Sequence, residues 1–363
     1  MLKRIIFAAF AVIMAASCCS RTGDYPYTIA HRGCWLSPDA QFSDSKTFVV
    51  TENSLEAVRM AVRYGYKSIE LDPRFTLDSV IVVMHDKSIN RTMVCADGSE
   101  IPEQLLVRDL MFDDLRSNYV LRGMQSPIPT LEELLTECRD CGILPLMHCD
   151  KYQGYEVAKK VLGDGFIAFS TEFDVLCKVR AISPCKILLD PSKELKKRGL
   201  EETPENVLAL LDEIGGDTGI SSMKHDMCRA EMCEALTAEG HDVQSSIFRS
   251  PAEIEAIRNG VTILLTDYAW CPSKGMKPAE CSKVKTTGEM QWQGQRFEYG
   301  AFTVEMEGCG QWDLNVCSER NYSICRETPG REVVSLRYYD RAPSITLNVR
   351  SGEVKVTVKN YAL

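Results

Sequence analysis

Two of the five histidines in this 363-residue chain each follow a short apolar run. His31 comes directly after the run that ends at Ala30, and His85 comes directly after Val80–Met84. A pair of imidazoles can serve as general acid and general base near neutral pH, because the unperturbed pKa of histidine lies close to that pH. The sequence therefore predicts that His31 and His85 form an acid–base pair.

Carboxylates and an arginine share the window between those histidines. Glu70 and Asp72 are two residues apart on an extended segment, so their side chains point the same way. A solvent-facing strand would carry such a pair without cost, but two inward carboxylates repel unless a cation or a proton lies between them. We therefore predict that they bind a divalent metal ion. With Arg32, which can grip a phosphate through two hydrogen bonds, these are the parts needed for metal-assisted cleavage of a phosphodiester.

Strand-like and helix-like segments alternate from residue 28 to about 268, which predicts a (β/α)₈ (TIM) barrel. The strand candidates are Thr28–Ala30, Ser68–Asp72, Val80–Met84, Ile143–His148, Phe166–Phe169, Lys186–Leu189, Gly219–Ser222, Val243–Ile247 and Thr262–Thr266. The helix candidates are Ser54–Tyr64, Leu131–Cys141, Glu172–Ile182, Pro204–Ile214, Ala230–Glu239 and Pro251–Asn259. Nine strand candidates compete for eight places, so one of them must lie outside the barrel.

The barrel prediction also tests the candidate residues, because active sites of such barrels lie at the C-terminal ends of the strands. His31 follows the first candidate strand, and Glu70 and Asp72 end the second. His85 ends the third candidate strand and His148 ends the fourth. We therefore expect these side chains to meet at one end of the barrel.

The sequence texture changes after Trp270. Residues 271–286 are rich in Pro, Gly, Ser and Lys, which predicts a linker. Residues 287–363 alternate apolar and polar positions with period two, which predicts a small C-terminal antiparallel β-sandwich, and Ser351-Gly352 predicts a hairpin turn between its last two strands. The predicted organisation is a leader at 1–22, a barrel at 23–270, the linker and the β-rich domain.

The N-terminus resembles a bacterial lipoprotein export signal. Lys3-Arg4 precede an apolar stretch, Ile5 to Ala16, that rises only about 18 Å as a helix and is too short to cross a bilayer. A run of small residues then ends at Cys18. We expect Cys18 to carry a lipid anchor on a periplasmic or outer-membrane lipoprotein, with plain secretion as the alternative, and we expect no transmembrane helix.

The charge balance argues against a nucleic-acid partner. The chain carries 51 acidic and 42 basic side chains, a formal net charge of −9, and it has no strongly basic tract. Nucleic-acid binding requires a clustered positive surface. We expect a small-molecule substrate instead.

Five ordered motifs resemble the glycerophosphodiester phosphodiesterase family. They are His31-Arg32-Gly33, Glu52-Asn53-Ser54, Glu70-Leu71-Asp72, Val82-Val83-Met84-His85-Asp86 and Ile128-Pro129-Thr130-Leu131-Glu132-Glu133. A later stretch, residues 260–268, is similar to the closing strand of that family. The resemblance covers about residues 27–268 and is densest in the first 110 of them.

The resemblance implies a barrel enzyme that hydrolyses glycerophosphodiesters to sn-glycerol 3-phosphate and an alcohol, with Ca²⁺ or Mg²⁺ as cofactor. It implies that His31 and His85 are the acid–base pair, that Arg32 binds phosphate and that Glu70 and Asp72 hold the metal. It further implies that Glu52 lies beside the metal or orients a ligand, with Asn53 supporting it. Two alternatives keep the same barrel: a phospholipase D- or sphingomyelinase D-like lipid phosphodiesterase, and a catalytically inactive binding lipoprotein.

One motif departs from the family, which usually brings a glutamate as third metal ligand on the next strand. Here the segment reads Leu146-Met147-His148-Cys149-Asp150, and His148 takes the place of that glutamate. Imidazole is a poor ligand for Ca²⁺ and a better one for zinc, nickel or iron. Either the metal is a transition metal, or Asp150 replaces the glutamate, or His148 only forms a hydrogen bond. Residues 88–127 correspond to a variable insertion that either covers the site or packs as a loop.

Overall fold

The computed structural model describes residues 27–37, 46–222, 225–246, 257–273, 275–318 and 321–363. The predicted leader with Cys18, and most of the helix predicted at Pro251–Asn259, lie outside the described residues. The described strands are β1 (Tyr27–Ala30), β2 (Ser68–Leu71), β3 (Pro73–Phe75), β4 (Ile81–Val83), β5 (Met93–Cys95), β6 (Tyr119–Leu121), β7 (Leu144–His148), β8 (Ile167–Ser170), β9 (Lys186–Leu189), β10 (Thr218–Ser222), β11 (Asp242–Ser246), β12 (Ile263–Thr266), β13 (Glu280–Thr286), β14 (Glu289–Gln293), β15 (Phe297–Gly308), β16 (Gln311–Cys317), β17 (Asn321–Arg326), β18 (Gly330–Arg341), β19 (Ser344–Ser351) and β20 (Val354–Ala362).

The described helices surround the barrel strands. They are α1 (Leu55–Arg63), α2 (Phe112–Asn118), α3 (Leu131–Cys141), α4 (Tyr152–Leu162), α5 (Phe173–Ile182), α6 (Ser192–Arg198), α7 (Pro204–Ile214) and α8 (Ala230–Ala238), with 3₁₀ turns at Val107–Asp109 and His225–Cys228. Helix α4 was not predicted from the sequence, because no side chain caps its N-terminus and Lys151 occupies the capping position. Within the described residues, no helix is long and apolar enough to span a bilayer.

Eight strands close into a parallel barrel in the order β1-β12-β11-β10-β9-β8-β7-β2. The (β/α)₈ barrel prediction is therefore confirmed. Strands β2 and β7 are neighbours in register, with Glu70 opposite Leu146 and Leu71 opposite Met147. This pairing brings the C-terminal ends of β2 and β7 together at one edge of the barrel.

The candidate strand that does not belong to the barrel is Val80–Met84. Within it, β4 pairs antiparallel with β3 in a separate two-stranded hairpin, with Pro73 opposite Val83 and Phe75 opposite Ile81. The prediction that His85 ends a barrel strand is therefore wrong. Val82, Val83 and Met84 of this apolar run are buried, partly by the insertion at 88–127, and a buried run has the same sequence pattern whichever element covers it.

The insertion forms a small packed unit at the edge of the barrel. Strands β5 and β6 pair antiparallel, and a separate hydrophobic cluster that includes Val82, Ile89, Leu115 and Ile128 lies beneath them. The turn Val107–Asp109 lies beside the hairpin, so the insertion both packs as a unit and borders the end of the barrel that carries the candidate residues.

The loop from β1 to α1 is held close to the first turn of that helix. Ser54 caps α1 by accepting a hydrogen bond from the backbone N–H of Ala57 at 3.0 Å. Gly33 has φ +74°, and a Cβ at this position would lie 2.9 Å from the Cβ of Ala57. Glycine is therefore required immediately after His31 and Arg32, where the loop turns against the helix.

The C-terminal domain consists of two four-stranded antiparallel sheets, in the orders β13-β20-β15-β18 and β14-β19-β16-β17. The sandwich prediction is confirmed, but two details differ. Strand β13 (Glu280–Thr286) lies within the predicted linker 271–286, so the connection is shorter than predicted. Strands β19 and β20 belong to different sheets, so Ser351-Gly352 joins the two sheets and the hairpin prediction is wrong.

The barrel and the sandwich share an interface at the C-terminal end of α1. The Tyr64 hydroxyl donates to the carbonyl of Tyr338 at 2.9 Å, and the indole of Trp270 donates to the carbonyl of Tyr64 at 2.6 Å. The guanidinium of Arg337 lies 5.4 Å from the ring centroid of Tyr64 and donates to the carbonyl of Trp35 at 3.3 Å. The sandwich thus contacts both α1 and the loop that follows His31.

Candidate active site

Glu70, Asp72 and His148 form a compact group where β2 and β7 end. One ligand atom from each of the three lies within 4.8 Å of the others. Nδ1 of His148 is 3.7 Å from Oε1 of Glu70 and 3.5 Å from Oδ1 of Asp72. The imidazole stacks on Phe169 with 4.4 Å between ring centroids, so its plane is fixed. The structure therefore brings together Glu70, Asp72 and His148, the three residues that the sequence places at the ends of two barrel strands.

Positive charge near Glu70 and Asp72 stabilises the ionised form of these carboxylates. Burial raises the pKa of Asp72, but the hydrogen bond from His148 and the charges of His85 and Arg32 outweigh burial and hold the pKa well below its usual range. Burial lowers the pKa of His148, but hydrogen bonds to Asp72 and Glu70 raise it to about 10. An imidazolium therefore balances the carboxylates here, and two carboxylates with one imidazole are also a donor set that fits a divalent cation.

Glu52 was expected to lie beside the metal or to orient a ligand, and in the structure two arginines bind its carboxylate. Nη1 of Arg32 donates to Oε1 of Glu52 at 3.0 Å. Arg91 donates from Nη1 to Oε2 at 2.9 Å and from Nη2 to Oε1 at 2.5 Å. Glu52 therefore orients two cationic side chains and is not part of the Glu70–Asp72–His148 group.

Asp150, the predicted substitute ligand, is also directed elsewhere. Its Oδ1 accepts hydrogen bonds from the Ser170 hydroxyl at 2.7 Å and from the Thr171 backbone at 3.3 Å. Ser170 ends β8 and Thr171 follows it, so the carboxylate links the loop after β7 to the end of β8. Of the two candidates on this segment, His148 is the one that lies with Glu70 and Asp72.

His31 is paired with a carboxylate that sequence reasoning missed. Nδ1 of His31 lies 2.7 Å from Oδ1 of Asp267, and both side chains are buried. Because an ionised carboxylate only accepts hydrogen bonds, Nδ1 carries the proton and Nε2 is left for exchange with a substrate. Asp267 directly follows β12, so its position after the last barrel strand was the sequence signal that could have identified it.

His85 is bound in the same manner and begins a chain of alternating charges. Its Nδ1 donates to Oδ1 of Asp86 at 2.8 Å, and Asp86 accepts from Nε of Arg91 at 2.6 Å. Burial raises the pKa of Asp86, but His85 and Arg91 outweigh it and hold the pKa well below its usual range. Since Arg91 also binds Glu52, the chain runs from His85 to Arg32. Arg91 was not assigned a role from the sequence.

A second arginine fixes the backbone that carries His85. Nε of Arg74, on β3, donates to the carbonyl of His85 at 2.9 Å and to that of Met84 at 3.2 Å. The hairpin therefore positions His85 over the end of the barrel, although β4 is not a barrel strand. No pattern in the sequence singled out Arg74.

Arg32 and Asn53 adopt left-handed backbone conformations, with φ values of +57° and +54°. Such conformations cost on the order of 1–3 kcal/mol for residues other than glycine. The backbone N–H of Arg32 donates to Oε2 of Glu70 at 2.9 Å, and Nδ2 of Asn53 donates to Oδ2 of Asp72 at 3.0 Å. These bonds hold the strained residues against the acidic group.

The guanidinium of Arg32 retains an available donor. Its Nε is buried and has no hydrogen-bond partner among the described residues, and it lies 4.0 Å from Oδ2 of Asp72. A buried donor without a partner is costly unless a ligand satisfies it. An anionic oxygen beside Glu70 and Asp72 would be within reach of this donor, and the phosphate-binding role of Arg32 stays a prediction.

A cleft of about 440 Å³ opens from this group. Asp72 and His148 form one side of it, and the other lining residues come from β3, from the loop after β7, and from the insertion. This volume lies within the range of small-molecule sites.

Comparison with known proteins links the first part of the barrel to one family. Residues 31–181 match the model of the Glycerophosphoryl diester phosphodiesterase family. Glycerophosphodiester phosphodiesterase 1 from Mus musculus is 39% identical over 117 residues, which are 30% of this chain and 29% of that protein. A putative glycerophosphodiester phosphodiesterase from Bacillus subtilis is 33% identical over 109 residues, which are 30% of this chain and 39% of that protein. The matches thus span well under half the length of these relatives.

Solved structures confirm the barrel fold. A putative glycerophosphoryl diester phosphodiesterase from Silicibacter pomeroyi superimposes with a TM-score of 0.53 at 18% identity, covering 68% of this chain and 91% of that chain. A putative glycerophosphodiester phosphodiesterase from Galdieria sulphuraria gives 0.51 at 16% identity, covering 67% and 94%. At these identities the likeness concerns the fold alone.

Proposed function

We propose that the protein hydrolyses glycerophosphodiesters to sn-glycerol 3-phosphate and an alcohol, because residues 31–181 match the model of the Glycerophosphoryl diester phosphodiesterase family. The observation that carries the proposal is the arrangement around Glu70, Asp72 and His148. Two histidines are bound through Nδ1 to carboxylates: His31 directly precedes Arg32, whose backbone N–H donates to Glu70, and the charge of His85 acts on Asp72. A buried nitrogen of Arg32 also lies beside the group, and each of these parts has a role in metal-assisted phosphodiester hydrolysis.

In this proposal His31 and His85 transfer the protons. One imidazole accepts the proton of the attacking oxygen through Nε2, and the other donates a proton to the oxygen of the leaving alcohol. Asp267 and Asp86 hold the rings with Nδ1 protonated and stabilise the imidazolium form. Arg32 binds a non-bridging phosphate oxygen, because its free Nε lies beside the acidic group.

Glu70, Asp72 and His148 are the residues that we propose hold a divalent cation. When bound, such a cation supplies positive charge against the phosphoryl oxygens and lowers the pKa of a bound hydroxyl. Ca²⁺ and Mg²⁺ prefer oxygen donors, so the imidazole in this group favours a cation that also accepts nitrogen, such as zinc, nickel or iron. Metal analysis of the purified protein would identify it.

Release of glycerol 3-phosphate from glycerophosphocholine and glycerophosphoinositol, with and without a chelator, tests the proposal. We expect turnover that the chelator abolishes, and a loss of at least about 10² in turnover for H31A and for H85A. Lysophosphatidylcholine and sphingomyelin serve as comparison substrates. Preferred hydrolysis of either lipid would support the lipid phosphodiesterase alternative, and tight binding without hydrolysis of any diester would support the binding-lipoprotein alternative.

We also propose that the protein is exported and anchored by a lipid on Cys18, on the strength of the leader sequence alone. Detergent partitioning and mass spectrometry of the mature N-terminus test this proposal. A C18A variant should lose the lipid and remain unprocessed, whereas C19A should still be lipidated. Mature protein without a lipid, cleaved near residue 22, would instead support secretion.

A further inference from the structure

Basic side chains surround the cleft beside the proposed metal group. The lining includes Arg74, Lys87, Arg108 and Lys151, each from a different segment: β3, the residue after Asp86, the insertion and the loop after β7. Lys87 and Lys151 are exposed to solvent. The backbone N–H of Val107 donates to the carbonyl of Lys87 at 2.9 Å, which fixes the insertion against this side of the cleft.

The acidic residues near the cleft leave its positive charge largely uncompensated. Four basic side chains line the cleft against two carboxylates, Asp72 and Asp150, and Asp72 belongs to the proposed metal group. Asp109 lies beside Arg108, with 3.7 Å between Nε and Oδ1, but both side chains are highly exposed, so solvent screens this pair. The cleft therefore presents net positive charge next to the position where the scissile phosphate would bind.

The aromatic floor of the cleft is already occupied by a cation. Nζ of Lys151 lies 4.2 Å from the ring centroid of Phe75. An aromatic face is the usual binding surface for a quaternary ammonium such as choline. Because Lys151 covers that face, a cationic alcohol would have to displace the ammonium and would meet repulsion from the other basic residues.

Lys151 also occupies a position that local stability disfavours. It is the N-cap residue of α4, where Ser, Thr, Asp and Asn are preferred and where a positive charge opposes the helix dipole. Because Lys151 weakens its own helix and lines the cleft, ligand binding explains its presence better than helix stability does.

We propose that the cleft binds the alcohol side of the substrate and selects alcohols that carry negative charge of their own, such as a phosphorylated polyol. This inference rests on the proposed function, because it takes the scissile phosphate to bind at Glu70, Asp72 and His148. A diester bound there extends one of its two ester arms into the cleft. Lys87 and Lys151 then contact the additional anionic group, and the cleft volume of about 440 Å³ admits an alcohol of that size.

Two substrates that differ by one phosphate group on the alcohol test the inference: glycerophosphoinositol and glycerophosphoinositol 4-phosphate. We expect kcat/KM for the phosphorylated substrate to be about tenfold higher at low ionic strength, since complementary charge accelerates association and steadies the complex. The ratio should shrink in 1 M salt, where the Debye length falls to about 3 Å. Glycerophosphocholine should be the poorest of the three substrates.

Substitutions at the two lysines show whether the cleft causes this preference. We expect K87Q and K151S each to lower the ratio about threefold, and the double variant to bring it close to one. Serine is a better N-cap than lysine, so K151S should also melt at an equal or higher temperature, which separates loss of selectivity from loss of folding. K178Q, an exposed lysine on α5, is the control with the same change in net charge and should keep the ratio of the unaltered protein.

The outcomes separate the two proposals. If no diester releases glycerol 3-phosphate, the proposed function is wrong. If both inositol substrates are hydrolysed with equal kcat/KM, or if the double variant keeps the full preference, the proposed function stands and the selectivity inference is overturned.

Discussion

His31 and His85 are both bound at Nδ1 by a carboxylate, but in different surroundings. The side chains of His31 and Asp267 are 5% and 0% exposed, whereas those of His85 and Asp86 are 40% and 26% exposed. A buried hydrogen bond to a carboxylate is exposed less to water and holds its geometry more firmly. The ring of His31 is therefore held in place before substrate binds, whereas the orientation of the more exposed His85 ring depends on Asp86 and Arg91.

Replacing Asp267 with asparagine should cost activity without unfolding the protein. In D267N the negative charge that stabilises the imidazolium is lost, and the amide can turn its N–H toward Nδ1, so the ring of His31 is no longer held with Nδ1 protonated. We expect kcat to fall by roughly 10²–10³, and D86N to lose less because that pair is exposed. Steady-state hydrolysis measures the change, with D140N on the exposed end of α3 as the control. A D267N enzyme as active as D140N would remove Asp267 from the proposed mechanism.

The proton on His148 should compete with the metal ion. Because its pKa is raised to about 10, the imidazole is protonated at neutral pH in the metal-free protein. A cation that uses this nitrogen must release that proton, so its affinity should rise about tenfold per pH unit up to about pH 10. Titration calorimetry in buffers of different ionisation enthalpy should detect about one released proton, which H148Q should not release. Equal affinity at pH 6 and pH 8 would mean that the carboxylates alone hold the ion.

The same shift predicts how the metal-free fold responds to pH. A pKa raised from 6.5 to about 10 contributes stability that is fully present below pH 6.5 and is lost as the pH rises toward 10. Above that range Glu70 and Asp72 face a neutral ring. In chelator, the melting temperature should therefore fall between pH 7 and pH 9.5, and it should fall less in the presence of the bound cation or in H148Q. A metal-free protein whose melting temperature does not change over this range would contradict the imidazolium assignment.

At the scale of elements, the barrel could be predicted because capping residues and the spacing of apolar residues indicate the same helices and strands that the fold contains. Helix α3 was predicted with its observed bounds, since Thr130 and Glu133 form a capping box and leucines recur on its buried face. The place of β4 could not be predicted, because a buried apolar run packs equally well against barrel helices or an insertion. The hairpin prediction at Ser351-Gly352 was wrong for a related reason, because the residues of a turn do not determine which sheet the next strand joins.

The candidate site was predictable where it depends on strand periodicity. Glu70 and Asp72 share a direction on β2, and His148 faces them across the register with β7. The partners of these residues depend on loops: Arg91 reaches Glu52 and Asp86 from the insertion, and its position could not be derived from spacing. Loop geometry also turned Glu52 and Asp150 away from the predicted ligand group.

The β3–β4 hairpin should depend on Arg74 for the placement of His85. Lysine keeps the charge, but a single ammonium cannot reproduce the guanidinium contacts to the carbonyls of Met84 and His85. We expect R74K to lower kcat about tenfold while keeping the preference for the phosphorylated inositol substrate. R139K, on the exposed end of α3, is the matched control. Unchanged kcat with a lost preference would instead assign Arg74 to substrate binding alone.

At the scale of the whole molecule, the sandwich supports the elements that carry the site. Helix α1 begins beside Glu52 and Asn53 and ends at Tyr64, which Tyr338 and Trp270 hold against the sandwich. Its nine residues extend about 13 Å. The sandwich also contacts the carbonyl of Trp35 through Arg337, just after the His31 loop. We therefore expect the two domains to unfold as one unit.

Trp270 is the residue whose loss should uncouple them. It is 1% exposed, donates to Tyr64 and packs on Tyr361 with 5.0 Å between ring centroids. W270A should lose roughly 3–5 kcal/mol and should split a single calorimetric transition into two, because it opens a cavity at the interface. W312A removes an equally buried tryptophan from within the sandwich and should destabilise the protein without producing a second transition. If both variants melt in one shifted transition, the domains remain coupled and Trp270 is not the residue that couples them; if the unaltered protein already melts in two, the domains are independent from the start.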